Sequence, residues 1–125
     1  MLLEAEEHKL FVKWLRLKKI THFAPINENV HSGIIRNAMH SAMASRVIAS
    51  IENKLKALGK RKGVSDLVVL LPGARAVFIE MKRVKGGTVS EEQSAWKSEI
   101  TALGFDAHIC RGFDEAVAVI EGLSK

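Results

Sequence analysis

Cysteine is nearly absent from this 125-residue chain, with Cys110 the only one. That excludes an internal disulfide and leaves too few ligands for a Cys/His structural zinc site. His8, His22, His31, His40 and His108 show no zinc-type spacing either. No run of roughly 18 apolar residues occurs, so neither a spanning helix nor a membrane partner is expected. The start, MLLEAEEHKLF, carries acids where a secretory signal needs a basic start and an apolar run, so the expected location is cytoplasmic. With no repeat, low-complexity tract or long linker, the expectation is a single domain over residues 1–125.

What is present suits a packed core: 47% of residues are hydrophobic and 26% charged. Nineteen Lys and Arg against fourteen Asp and Glu leave a net charge of +5. That balance favours a polyanionic partner through counterion release, but the excess is modest and decides nothing alone.

Periodicity sets out the elements. Leu3, Leu10, Phe11, Trp14 and Leu17 recur at helical spacing over residues 3–19, with Lys9, Lys13 and Arg16 on another face. His22 to Ile26 reads as a short extended segment, and a second helical pattern, as one helix or two, runs from Ile34 to Leu58. Asp66–Leu71 and Ala76–Met81 are strands joined by a Pro-Gly turn. Ser90 opens a helix to about Leu103, Phe105–Cys110 is a further strand, and residues 113–122 form a last helix. The fold class is therefore α/β, a mixed central sheet flanked by helices.

The hairpin is the informative part. Alternation along Ala76–Lys82 places Val77, Ile79 and Met81 on one face and Phe78, Glu80 and Lys82 on the other. Taken alone, Glu80 and Lys82 also suit a solvated ion pair on an outer strand face. Asp66, which opens the partner strand, meets Glu80 only in the register that sets Leu70 opposite Ala76. A three-residue or bulged turn after Leu71 delivers that register, whereas a plain four-residue turn sends Asp66 to the wrong face. Two converging carboxylates stay ionised cheaply only around a cation, and hard oxygen ligands suit Mg²⁺ or Mn²⁺. Lys82 beside them can meet charge developing on a phosphoryl group or activate the attacking water. The trio is equipped for phosphodiester hydrolysis.

Two further residues have two readings each. Glu7 interrupts the apolar stripe of the first helix, either facing the core and needing a partner such as a metal, or solvated in a fraying first turn. Glu4 and Glu6 read more easily as N-terminal helix charges. Gln93 is spaced from Ser90 as the second half of a capping box, and from that helix end it can also reach a phosphate or water. Cys110 reads as buried and inert.

The blocks KRKGVSDLVVLLP (60–72), VFIEMKR (77–83) and VSEEQSAW (89–96) together resemble the VRR-NUC branch of the PD-(D/E)XK nucleases. The likeness runs from about Glu7 to Glu121 and is dense from Lys54 to Phe113. It maps the family's first-helix acid onto Glu7, its Asp onto Asp66, its ExK pair onto Glu80 and Lys82, and its helix glutamine onto Gln93. Ile26-Asn27-Glu28 matches a further polar block. Ser65 stands where the family more often has proline, and residues 30–53 look longer than in many relatives.

The resemblance implies a restriction-endonuclease-like core and a divalent-metal-dependent nuclease. Stand-alone phage and bacterial members are associated with homodimers acting on branched DNA such as four-way junctions. The expectation is an endonuclease in a bacterial or phage-infected cell, with Asp66, Glu80 and the Met81 carbonyl as metal ligands and Glu7 assisting. Lys82 activates or stabilises, and Gln93 positions. Lys60, Arg61, Lys62, Arg83, Lys85 and Asn27 are expected to contact DNA, by shape rather than base sequence. Residues 30–53 fit either DNA engagement or self-association. The rivals are a non-catalytic nucleic-acid-binding module of the same fold, and a nuclease acting on DNA ends or plain duplex.

Overall fold

The computed structural model describes residues 2–25, 35 and 37–124. The chain divides into two compact units, one built from residues 1–26 and 63–125 and a smaller one from residues 27–62.

The larger unit begins with α1 (Glu4–Leu17), which buries Glu7, Phe11 and Leu15, four residues apart, whereas Leu3, Leu10 and Leu17 of the expected stripe are exposed. A two-residue strand, β1 (His22–Phe23), follows. After the smaller unit come β2 (Leu67–Leu71) and β3 (Arg75–Lys82), then α3 (Glu91–Ala102), β4 (Asp106–Arg111) and α4 (Phe113–Leu123). Among the described residues the sheet has the order β1-β2-β3-β4. β1, β2 and β3 are antiparallel in turn, and β3 and β4 are parallel, so the sheet is mixed as the sequence pattern implies.

The hairpin register is the one Asp66 requires: Leu70 pairs with Ala76 and Leu71 with Arg75. Only Pro72, Gly73 and Ala74 lie between the paired ends, a three-residue connection. Gly73 (φ 85°) and Ala74 (φ 59°) are both left-handed there. One rung beyond Leu67 opposite Ile79, the register sets Asp66 against Glu80.

The two sheet faces are covered differently. Val77, Ile79 and Met81 are fully buried with Phe11 and Leu15 of α1, Ala116 and Ile120 of α4, Val69 and Cys110. On the opposite face, Phe78 meets Trp96 of α3 and Phe105 edge-on, with ring centroids 5.9 and 5.6 Å apart. The Trp96 indole N–H donates to the Oγ of buried Ser65 (3.0 Å), tying α3 to the entry of β2. Gly63 (φ 82°) is required at that entry, because a Cβ there would stand 2.4 Å from the Glu92 carbonyl carbon.

In the smaller unit the principal helix is α2 (Ser41–Ala57). It is shorter than the pattern over Ile34–Leu58, since Met39 and His40 fall outside it. Lys60 turns back to Glu52 of this helix at 3.4 Å. No described helix is long and apolar enough to cross a membrane.

Candidate active site

β3 runs on three residues past the end of its ladder with β2, and there the chemistry gathers. Asp66 stands just before β2 and takes the place of a further rung: its Oδ2 accepts the Met81 N–H at 2.8 Å. A strand residue's N–H and C=O leave the same side of the backbone, which keeps the Met81 carbonyl on the Asp66 side. Glu80 and Lys82 emerge on the face opposite the apolar core. Asp66, Glu80 and Lys82 are all buried, with Glu80 only 5% exposed.

Burial of this kind is costly for a carboxylate unless each oxygen finds a partner. Gln93 supplies one, donating from Nε2 to Glu80 Oε2 at 3.0 Å. Its Oε1 meanwhile accepts the Ser90 N–H at 3.0 Å, and its own N–H donates to Ser90 Oγ at 3.1 Å. The capping box and the reach toward the acid are therefore one arrangement: the cap fixes the glutamine that holds Glu80. The other oxygen, Oε1, is buried and has no hydrogen-bond partner. Burial, then the charge of the facing Asp66, push the Glu80 carboxyl up to about 9, against a smaller opposing pull from Lys82.

The first helix contributes two acids with separate places. Glu4, one turn before Glu7 on the same helix face, brings Oε1 to 3.9 Å from Lys82 Nζ. Its charge also adds to the field that raises Glu80. Glu7 is buried, and its Oε2 accepts the Phe113 N–H at the start of α4 in a short hydrogen bond. There it caps the positive end of α4. Gly112 (φ 95°) allows the approach, since a Cβ would stand 3.2 Å from that same oxygen. The Gly112 N–H in turn donates to the Lys82 carbonyl at 2.8 Å.

Sequence reasoning passed over Glu4 as an ordinary N-terminal charge. The signal that finds it is its i, i+3 relation to Glu7, which puts both acids on the core side of α1. Of the residues expected to contact DNA, Arg83 and Lys85 are exposed on the loop that leaves β3. Lys60 is held in its ion pair with Glu52, with 12% of its side chain exposed. Arg61 and Lys62 are exposed within the smaller unit. Asn27, with the Ile26-Asn27-Glu28 block, lies outside the described residues. Cys110 is buried, and burial pushes its thiol up to about 12, as an inert core residue should show.

Among the described residues, no three His, Cys, Asp or Glu side chains form a metal cluster. The donor set is the Asp66 and Glu80 pair, and it fits a hard dication that keeps several waters and takes one or two carboxylates. The partnerless Glu80 Oε1 and the mutual repulsion of the two acids are what such an ion would relieve.

Comparison with known proteins places the fold and the family. A solved structure described as a VRR_NUC domain protein superposes with a TM-score of 0.64 at 19% identity, covering 96% of this chain and 86% of that one. That likeness extends to the fold, consistent with a restriction-endonuclease-like core. No curated protein matches the chain. The VRR-NUC domain matches residues 4–114, a span that takes in Glu4, Asp66, Glu80, Lys82 and Gln93. The chain belongs to the VRR-NUC domain family, a nuclease-type family.

Proposed function

We propose that this protein hydrolyses DNA phosphodiester bonds as a divalent-metal-dependent endonuclease acting on branched substrates. The observation that carries the reading is the Glu80 carboxylate, buried against Asp66 with one oxygen unpaired. A structural ion pair needs neither the second acid nor the vacant oxygen.

Asp66 and Glu80, with the Met81 carbonyl, would hold Mg²⁺ or Mn²⁺. When bound, that ion supplies Lewis acidity toward a phosphodiester and lowers the pKa of water. The chain's own groups do the rest. Gln93 fixes Glu80 through one oxygen and leaves the other free to act. The Lys82 ammonium, buried on the same face, meets negative charge as it develops at the phosphoryl group. Glu4 holds the Lys82 charge in place from α1. Glu7 supports that end of the sheet from the α4 cap rather than from the carboxylate pair.

Arg83 and Lys85 suit phosphate contact at the rim, and no base-reading motif accompanies them among the described residues. Recognition then rests on DNA shape, as for a four-way junction. Cutting such a junction on two strands requires two sites at fixed separation, which a homodimer provides.

The test is cleavage of a labelled four-way junction, a flap and a plain duplex in Mg²⁺, Mn²⁺ and EDTA. The expected result is metal-dependent cutting, fastest on the junction and abolished in Lys82→Ala. Salt-sensitive DNA binding without turnover in either metal overturns the catalytic reading.

A further inference from the structure

Arg111 has no place among the site residues, yet its guanidinium meets three backbone carbonyls. The parallel register sets it beside Lys82, on the sheet face that carries Glu80. Among the described residues it forms no ion pair with an acid there. Nη1 donates to the Gly86 carbonyl at 2.6 Å and lies 3.5 Å from the Arg83 carbonyl, and Nη2 donates to the Gly87 carbonyl at 3.4 Å. All three acceptors belong to the single loop that joins β3 to α3.

That loop needs a brace. Gly86 and Gly87 are both left-handed (φ 78° and 70°), and adjacent glycines give up much chain entropy when ordered. The same loop carries Arg83 and Lys85. The Arg83 guanidinium lies over Gly86, where a Cβ would come within 3.2 Å of Nη2 and 3.3 Å of Nε. Downstream, Gln93 is fixed separately by its capping box with Ser90.

We propose that Arg111 is a positioning residue for the nuclease reaction: its guanidinium braces the Arg83–Gly87 loop and so sets Arg83 and Lys85 to receive a DNA phosphate. The role depends on the planar fork, which spans carbonyls of neighbouring residues, and not on charge alone. Lysine, with one compact ammonium, cannot reproduce it.

The proposal rests on the nuclease reading, so the test separates the two. Wild type, Arg111→Lys and Gly86→Ala are compared by hydrogen exchange of amides 84–88, by binding of a labelled junction in EDTA, and by steady-state cleavage. Arg111→Lys keeps the charge and loses the fork. Gly86→Ala keeps Arg111 and strains the loop, because a side chain is disfavoured at the left-handed φ of 78°. In both, loop exchange should rise about tenfold and KM and junction Kd should rise about tenfold, with kcat within about twofold of wild type. A merely structural arginine would move stability without this split between KM and kcat. Unchanged loop exchange in Arg111→Lys overturns the proposal, as does a loosened loop with unchanged junction binding. Should wild type cut no DNA in either metal, the catalytic reading fails, and exchange with binding in EDTA still decides the brace. If Arg111→Lys does not fold, Gly86→Ala carries the same readouts.

Discussion

The two faces of β3 are buried almost equally and for opposite reasons. Val77, Ile79 and Met81 on one face have no exposure, and packing against α1 and α4 satisfies them completely. Glu80 and Lys82 on the other face are 5% and 7% exposed, yet one Glu80 oxygen has no partner. The first face is finished without a ligand, and the second keeps one buried oxygen unsatisfied. A single strand thus serves as core and as site, and each face should respond to mutation in its own currency: stability for one, turnover for the other.

Lys82→Ala gives the largest expected effect, a loss of cleavage of about a thousandfold with the denaturation midpoint close to wild type. Cleavage assays paired with urea melts read both quantities, and equal cutting by this variant would erase the contrast between the faces. Ile79→Ala should do the reverse, lowering stability by about 2–5 kcal/mol in urea unfolding while the folded fraction still cuts. The two acids of α1 divide the same way. Glu7→Gln should cost about 1–3 kcal/mol by weakening the charged cap on Phe113, whereas Glu4→Gln should slow cleavage and leave the melt within about 0.5 kcal/mol. Reversal of that order would place Glu7, not Glu4, at the reacting centre.

A smaller effect follows from the raised Glu80 pKa. Between the ordinary value of 4.5 and about 9, the folded protein keeps a proton that the unfolded chain releases. Stability from this group is therefore full below about 4.5 and lost as pH rises through about 9. Metal-free melts across that window should show the decline, and Glu80→Gln should flatten it. An equally steep decline in Glu80→Gln would locate the effect elsewhere.

Much of this geometry was legible in the chain. Alternation along β3 and the demand that Asp66 share a face with Glu80 together specified Leu70 opposite Ala76, and the three-residue turn supplies it. Those are short-range rules, set by a two-residue period and one turn. Glu4 was not legible, because helical phase tells which side of α1 faces the sheet but not which turn lies over Lys82. Of the two readings open for Glu7, burial favours the acid in need of a partner over the solvated one. Its hydrogen-bond partner, the Phe113 amide, lies at the far end of the sequence and has no local signature. Arg111 likewise carries no signal, lying one residue past the expected strand Phe105–Cys110, until the loop carbonyls close around it. Long-range contacts of this kind depend on the tertiary assembly rather than on pattern.

The central claim is that Asp66 and Glu80 form one dication site. Calorimetric titration of Mn²⁺ near pH 7, in buffers of different ionisation enthalpy, tests it most directly. The account predicts a saturable site that releases a proton on binding, since Glu80 is protonated until the ion arrives, and that is lost in both Asp66→Asn and Glu80→Gln. Binding that persists unchanged in either variant, or none in wild type, would contradict it.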